Sequence, residues 1–183
     1  MRRRARLSAP GAERGFTVLE LMISSTVFVL VAGAVVTALV VSNALNMTNR
    51  ETAIASRAAQ SMLEELKACT FAEIFKRYNG TAADNPAGGG SPGDDFAVKG
   101  LDLQEGDADG FAGSIEFPGT STTLRENVVD AELGMPRDLN GDGAIDAADH
   151  AANYRILPVR VVVRWNGQNG PRTFELVTVL GNY

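Results

Sequence analysis

The 183-residue chain contains one cysteine, one histidine and one tryptophan. With Cys69 alone, no internal disulfide can form, and a single cysteine amid helix-forming residues reads as a small apolar side chain. A cysteine nucleophile would need a histidine and a carboxylate at its side, and the one histidine, His150, lies far along the chain. CxxC pairs, histidine clusters and a Ser-His-Asp arrangement are all missing, so no enzymatic activity is expected. Internal repeats are also missing. Charge is absent from Leu21 until Arg50, and proline from Phe16 through Arg77. The first absence allows a membrane span, and the second allows a long uninterrupted helix.

Charge of one sign is scarce at each end of the chain. Arg2, Arg3, Arg4, Arg6 and Arg14 stand against Glu13 alone in the first fifteen residues, a charge of +4. The whole chain carries −5, which leaves −9 for the rest. An acidic body argues against nucleic acid as the main partner and suits cation binding. The arginines fit a cytoplasmic anchor by the positive-inside rule.

The run from Leu21 to Val41 is Val, Leu, Ala and Ile with a few Ser and Thr. At about 1.5 Å per residue it spans roughly 30 Å, the thickness of a bilayer core. Gly33 is acceptable there, since small residues let membrane helices approach. A cleaved secretory signal would be shorter and followed by a small-residue cleavage site, and it would not carry Glu20. Beyond Val41 the pattern turns amphipathic, and neither Gly nor Pro occurs until Gly80. Ala55, Ala58, Met62, Leu66 and Cys69 recur at helical spacing, with Leu63 and Ile74 nearby and Glu64, Glu65 and Lys67 between them. One helix is expected from near Phe16 to near Arg77, greasy all round in its first half and apolar on one face in its second.

"NGTAADNPAGGGSPGDD" (Asn79 to Asp95) then reads as a flexible connection. Its triple glycine lacks the Gly-Lys-Ser/Thr and the following helix of a phosphate-binding loop. Two short strands are expected at Phe96 to Leu103 and Ser114 to Phe117. The clearest strand signal is C-terminal. Val159, Val161, Val163 and Trp165 alternate with Arg160, Val162 and Arg164. Phe174, Leu176, Thr178 and Leu180 alternate with Thr173, Glu175, Val177 and Val179, across the turn "NGQNGP". The result is an antiparallel hairpin whose apolar face suits the helix stripe. The fold class is therefore α+β. A basic leader covers 1–15, a long helix 16–78 with its membrane half at about 18–41, and a β-rich head 79–183.

"GFTVLELM" (Gly15 to Met22) closely resembles the processing site of type IV prepilins and the related pseudopilins. The resemblance implies cleavage after Gly15 by an inner-membrane prepilin peptidase, which also methylates the new N-terminal Phe16. It places Glu20 in the acidic position that serves filament assembly. Residues four apart share a helix face, so the freed Phe16 ammonium comes within one turn of the Glu20 carboxylate, and two charges in lipid cost far less as a pair. Whether the partner ammonium belongs to the same chain or to a neighbour stays open on geometry. The alternative is an ordinary anchor whose Glu20 snorkels to the interface. Many major pilins carry a helix proline and a C-terminal disulfide, and this chain has neither. The resemblance therefore leans toward a minor pilin or a minor pseudopilin of a type II secretion system. The implied setting is the prokaryotic cytoplasmic membrane, crossed once, with other pilin or pseudopilin subunits as partners. The contrasting function is a membrane-anchored, calcium-dependent surface-binding or adhesion protein that never assembles.

"DLNGDGAIDAAD" (Asp138 to Asp149) fits the twelve-residue EF-hand-type calcium loop. Asp138, Asn140 and Asp142 occupy positions one, three and five. Gly143 is the turn glycine at six, Ala144 offers a carbonyl at seven, Ile145 is the apolar residue at eight, Asp146 stands at nine and Asp149 at twelve. Asp149 replaces the usual Glu, as in the calcium loops of dockerin modules, which this stretch resembles. Its shorter side chain points to weak Ca²⁺ affinity, about 10⁻⁴ to 10⁻³ M as in extracellular modules. Gly134 and Pro136 preclude a full entering helix. "EGDADGFAGSIE" (Glu105 to Glu116) is a fainter copy. Glu105, Asp107, Asp109, Gly110 and Glu116 fall in place, but Ala112 and Gly113 do not fit, and an acidic turn is the expectation. His150, next to the strong loop, is expected to be exposed.

Overall fold

A computed structural model describes residues 15–86, 93–168 and 170–182. The arginines of the leader lie outside the described residues, as does the triple glycine. The chain divides into two compact units, with the boundary between Ala44 and Leu45. Helix α1 (Val18–Ala68) contributes to both.

In the first unit every residue from 15 through 43 is exposed, and Ala44 at its end is partly buried. Phe28 and Leu30 are about as open as in an isolated helix, at 73% and 68%. A core helix of a water-soluble domain would bury such residues, so this stretch is long and apolar enough to cross a membrane. Thr17 caps the helix start, its Oγ1 accepting from the Glu20 N–H at 3.2 Å. Glu20 lies in the first turn, where the helix dipole favours a carboxylate.

The second unit holds the core. Ala55, Ala59, Met62, Leu63 and Leu66 form the buried stripe of α1. Ala59 takes the place expected of Ala58. Small residues at 55 and 59 let the helix approach the sheet. The expected single helix to Arg77 is broken after Ala68. Thr70 is extended (φ −60°, ψ 124°), a 3₁₀ turn covers Phe71–Glu73, and a short helix α2 follows at Ile74–Tyr78. The break redirects the chain so that Ile74, Phe75 and Tyr78 are buried in the same core. Backbone groups freed at the break find a distant partner in Tyr154, whose hydroxyl donates to Phe71 O at 2.6 Å and accepts from Phe75 N at 3.4 Å. The rings of Phe71 and Tyr154 pack at 5.0 Å. This tertiary demand overrides the local helix propensity.

Four antiparallel strands form one sheet in the order β1 (Asp95–Phe96), β2 (Gly113–Glu116), β3 (Ile156–Gly167) and β4 (Gly170–Gly181). The long hairpin β3–β4 appears where the alternation placed it, closing on Gly167 opposite Gly170. Val159, Val161, Val163 and Trp165 are buried on the core face. The Trp165 indole N–H donates to Glu51 Oε2 of α1 at 3.1 Å, which ties helix to sheet beside the apolar contact. Val162 is also fully buried, on the opposite face, between Ser114 and Glu175 across the sheet and the flanking Arg160 and Arg164.

The strand expected at Phe96 to Leu103 is only the two-residue β1. Val98 and Leu101 pack on the core from a turn rather than from a pleat. Strand β2 begins at Gly113 and ends at Glu116, one residue earlier than expected at each end. Gly113 suits this place: a Cβ here would run into the Phe96 ring, which lies over the glycine. The fold is thus α+β, with a helix stripe on one face of a small antiparallel sheet.

Candidate metal centre

The acidic loop 138–149 enters β3 through a short, non-helical connection. Helices flank it on neither side, as Gly134 and Pro136 required for the entrance. Its turns are built by its own carboxylates. Asp138 Oδ1 accepts from Gly141 N at 2.6 Å and its Oδ2 from Gly143 N at 2.8 Å. Asn140 Oδ1 accepts from Asp142 N, and Asp142 Oδ1 from Ala144 N, each at 2.8 Å. Gly141 and Gly143 have φ of +80° and +89°, a region that side-chain-bearing residues avoid. These bonds, that of Gly143 first, hold the Asp138 carboxyl below the usual range. Each accepting oxygen retains a second lone pair, so the set Asp138, Asn140, Asp142 and the Ala144 carbonyl has the donor chemistry a hard cation needs.

The remaining assigned positions behave differently. Asp146 Oδ1 accepts from Ala148 N at 2.7 Å and meets His150 Nε2 at 3.0 Å. Its carboxyl is held low by these two contacts, the Ala148 N–H first. Asp149 Oδ1 accepts from Leu124 N and from Ala151 N, each at 3.0 Å. Position twelve therefore stitches the loop exit to residue 124, and His150 N returns the bond to Leu124 O at 2.9 Å. At the loop entrance, Leu139 O accepts from Arg155 N at 2.7 Å and Ile156 N at 3.1 Å. Ile145 at position eight is half exposed.

Sequence reasoning missed Glu126. Its side chain is 1% exposed, and it supports the loop from beneath. Glu126 Oε1 accepts from Leu139 N at 2.7 Å and Asn140 N at 3.2 Å, and Oε2 from Asp146 N at 3.4 Å. His150 contradicts the expectation of exposure: it is 4% exposed. It is buried because its ring fills the space between Glu126 and the loop. Burial would lower its pKa, but the hydrogen bond to Asp146, the charge of Glu126 and the contact with Asn153 outweigh that and raise it. Glu126, Asp146 and His150 bring one ligand atom each to within 4.8 Å of one another.

The fainter copy at 105–116 is an acidic turn with its last member committed elsewhere. Asp107 and Asp109 accept loop N–H groups from Asp109, Gly110 and Phe111. Glu116 lies on β2 and pairs with Arg160 at 2.9 Å and Arg164 at 2.8 Å.

Gly15 and Phe16 precede α1, and Phe16 is 80% exposed. Cys69 is half-buried just past the end of α1, with its thiol 3.7 Å from the Tyr78 hydroxyl. Comparison with known protein families, with curated proteins and with solved structures finds no match.

Proposed function

We propose that this chain is a type IV pilin-like subunit, a minor pilin or a minor type II secretion pseudopilin. Its single apolar helix would anchor it in a prokaryotic cytoplasmic membrane after prepilin peptidase removes the basic leader at Gly15. The carrying observation is the coincidence, within six residues, of a peptidase-type junction, a capped helix start and one carboxylate ahead of a fully exposed apolar helix. In an ordinary anchor Glu20 would gain only from the helix dipole, against the cost of a charge near a span. A subunit whose N-terminal ammonium is freed one turn away has a use for it. A helix stripe packed on a small antiparallel sheet gives such a subunit a folded head.

Calcium belongs to this reading as the ion that would set the loop 138–149, held by Asp138, Asn140, Asp142, the Ala144 carbonyl, Asp146 and Asp149. It would supply positive charge where carboxylates crowd, and so lock the connection between residue 124 and β3.

N-terminal sequencing and intact mass of the membrane-extracted protein test the reading. The expected product begins at Phe16 and carries one methyl group. Full-length precursor in cells with active prepilin peptidase would overturn it.

A further inference from the structure

We propose that Glu126, Asp146 and His150 form a second metal site, beneath the acidic loop, which takes a zinc-class divalent ion rather than calcium. Glu126 is fully buried, and its ion-pair partner among the described residues is His150, with Oε2 to Nε2 at 3.7 Å. That gap is too long for a hydrogen bond, so no shared proton joins the two buried groups. Nε2 lies 3.0 Å from Asp146 Oδ1 on its other side. An ion about 2.0–2.2 Å from nitrogen and oxygen ligands sets them roughly 3–3.5 Å apart, and the two distances bracket that spacing. The imidazole is a borderline donor that suits zinc, while calcium takes oxygen ligands.

The ring's other nitrogen is placed to support this role. Nδ1 lies 3.2 Å from Asn153 Oδ1. Once a metal displaces the Nε2 proton now bonded to Asp146, a proton on Nδ1 donated to that carbonyl keeps the Nε2 lone pair toward the two carboxylates, the arrangement that orients a metal-bound histidine. Asn140 Nδ2, 3.3 Å from Nδ1, keeps its bond to Asp142 Oδ2 at 2.9 Å in that tautomer. Glu126 and His150 are closed off from solvent, whereas the Asp146 side chain is 51% exposed. The ion enters past Asp146, and water completes its coordination there. Bound, it ties residue 126 to the loop exit through Asp146, a side chain it shares with position nine of the loop above, where calcium is often reached through a water.

The test uses full-length protein in detergent, free of any affinity histidines, with zinc added in the presence of excess calcium. His150 is the chain's one histidine, so the nitrogen resonances of the labelled imidazole report the site without any variant. One zinc retained per chain, with the Nε2 resonance moving at one equivalent, is the expected result. An unmoved imidazole, or no retained zinc, overturns the proposal. His150→Gln should weaken retention about tenfold or more, while Asp138→Ala, whose carboxylate bonds Gly141 and Gly143 of the upper loop, should leave it unchanged. Equal zinc loss in both variants would place the ion in the calcium loop and sink the second site.

Discussion

Glu126 illustrates how much one buried side chain can organise. Three backbone N–H groups from both ends of the acidic loop converge on its two oxygens. Among the described residues those donors have no other acceptor once it is removed. Glu126→Ala should therefore destabilise the head by about 1–3 kcal/mol, the cost of leaving the buried Leu139 donor unpaired, since the Asn140 and Asp146 N–H groups are part-buried. Glu126→Gln, which keeps an acceptor for Leu139 and Asn140, should cost less. Urea unfolding at constant slope measures both. Equal stability of Glu126→Ala and the native protein would mean that the loop is held by its own turns alone. The sequence offered no means to find this residue. Glu126 sits in "LRENVVD" with no periodicity around it, and its partners are 13 to 20 residues away. The calcium-type motif was legible because all of its positions fall in one twelve-residue stretch.

At the scale of elements, legibility followed the same rule of distance. The β3–β4 hairpin is written in local alternation and a Gly-rich turn, and it folds in that register. The stripe of α1 is written at helical spacing, and it is buried within one residue of its expected position. By contrast, the break at Thr70 depends on Tyr154, whose bonds to Phe71 and Phe75 cross about 80 residues of chain. Strand β1 fell short because Val98 and Leu101 reach the core without a pleat. The β1–β2 pairing rests on the Phe96 ring lying over Gly113, and this gives a sharp expectation. Gly113→Ala should cost about 1–3 kcal/mol, the usual penalty for forcing a methyl into filled space. Combining it with Phe96→Leu should cost less than the sum of the two single changes, because a smaller side chain no longer occupies the methyl's place. Additive losses in chemical denaturation would show that the ring and the glycine act separately.

At the scale of the whole molecule, each unit has its own stability problem. The second unit has a firm core between α1 and the sheet, but the stretch from 118 to 155 contributes few apolar anchors, chiefly Leu124, Leu133, Met135, Leu139 and Tyr154. Hydrogen bonds accepted by Glu126, Asp138 and Asp149 order it, and calcium in the loop would add to them. Calcium at about a hundred times its dissociation constant adds about 2.7 kcal/mol. At a dissociation constant of about 10⁻⁴ M that ratio is reached at about 10 mM calcium, which should raise the melting temperature by several degrees, given the few degrees per kcal/mol expected for a domain of this size. Chelator should reverse the shift and Asp142→Ala should remove most of it, while magnesium, which demands octahedral geometry, should substitute poorly. Superimposable melting curves with calcium and with chelator would leave the loop as a self-bonded acidic turn.

The first unit has the opposite problem, an apolar surface open along its whole described length. Lipid would solve that problem for every residue except Glu20. Glu20→Ala separates the two demands on this segment. Losing the carboxylate makes the segment more apolar, so membrane insertion should be undiminished. The cap survives as well, since Thr17 Oγ1 bonds the backbone N–H of residue 20 and not its side chain. Peptidase cleavage at Gly15 should proceed, because the junction itself is unchanged. What disappears is the counter-charge for an ammonium placed in lipid, where an unpaired charge is costly. The variant should accumulate in membranes as the mature form beginning at Phe16, and it should be absent from filaments sheared from the cell surface or assembled in the envelope. Immunoblots of membrane and filament fractions read both quantities in one experiment. Mutant protein in filaments at the native level would remove the reason for Glu20 and leave the chain a simple anchored head.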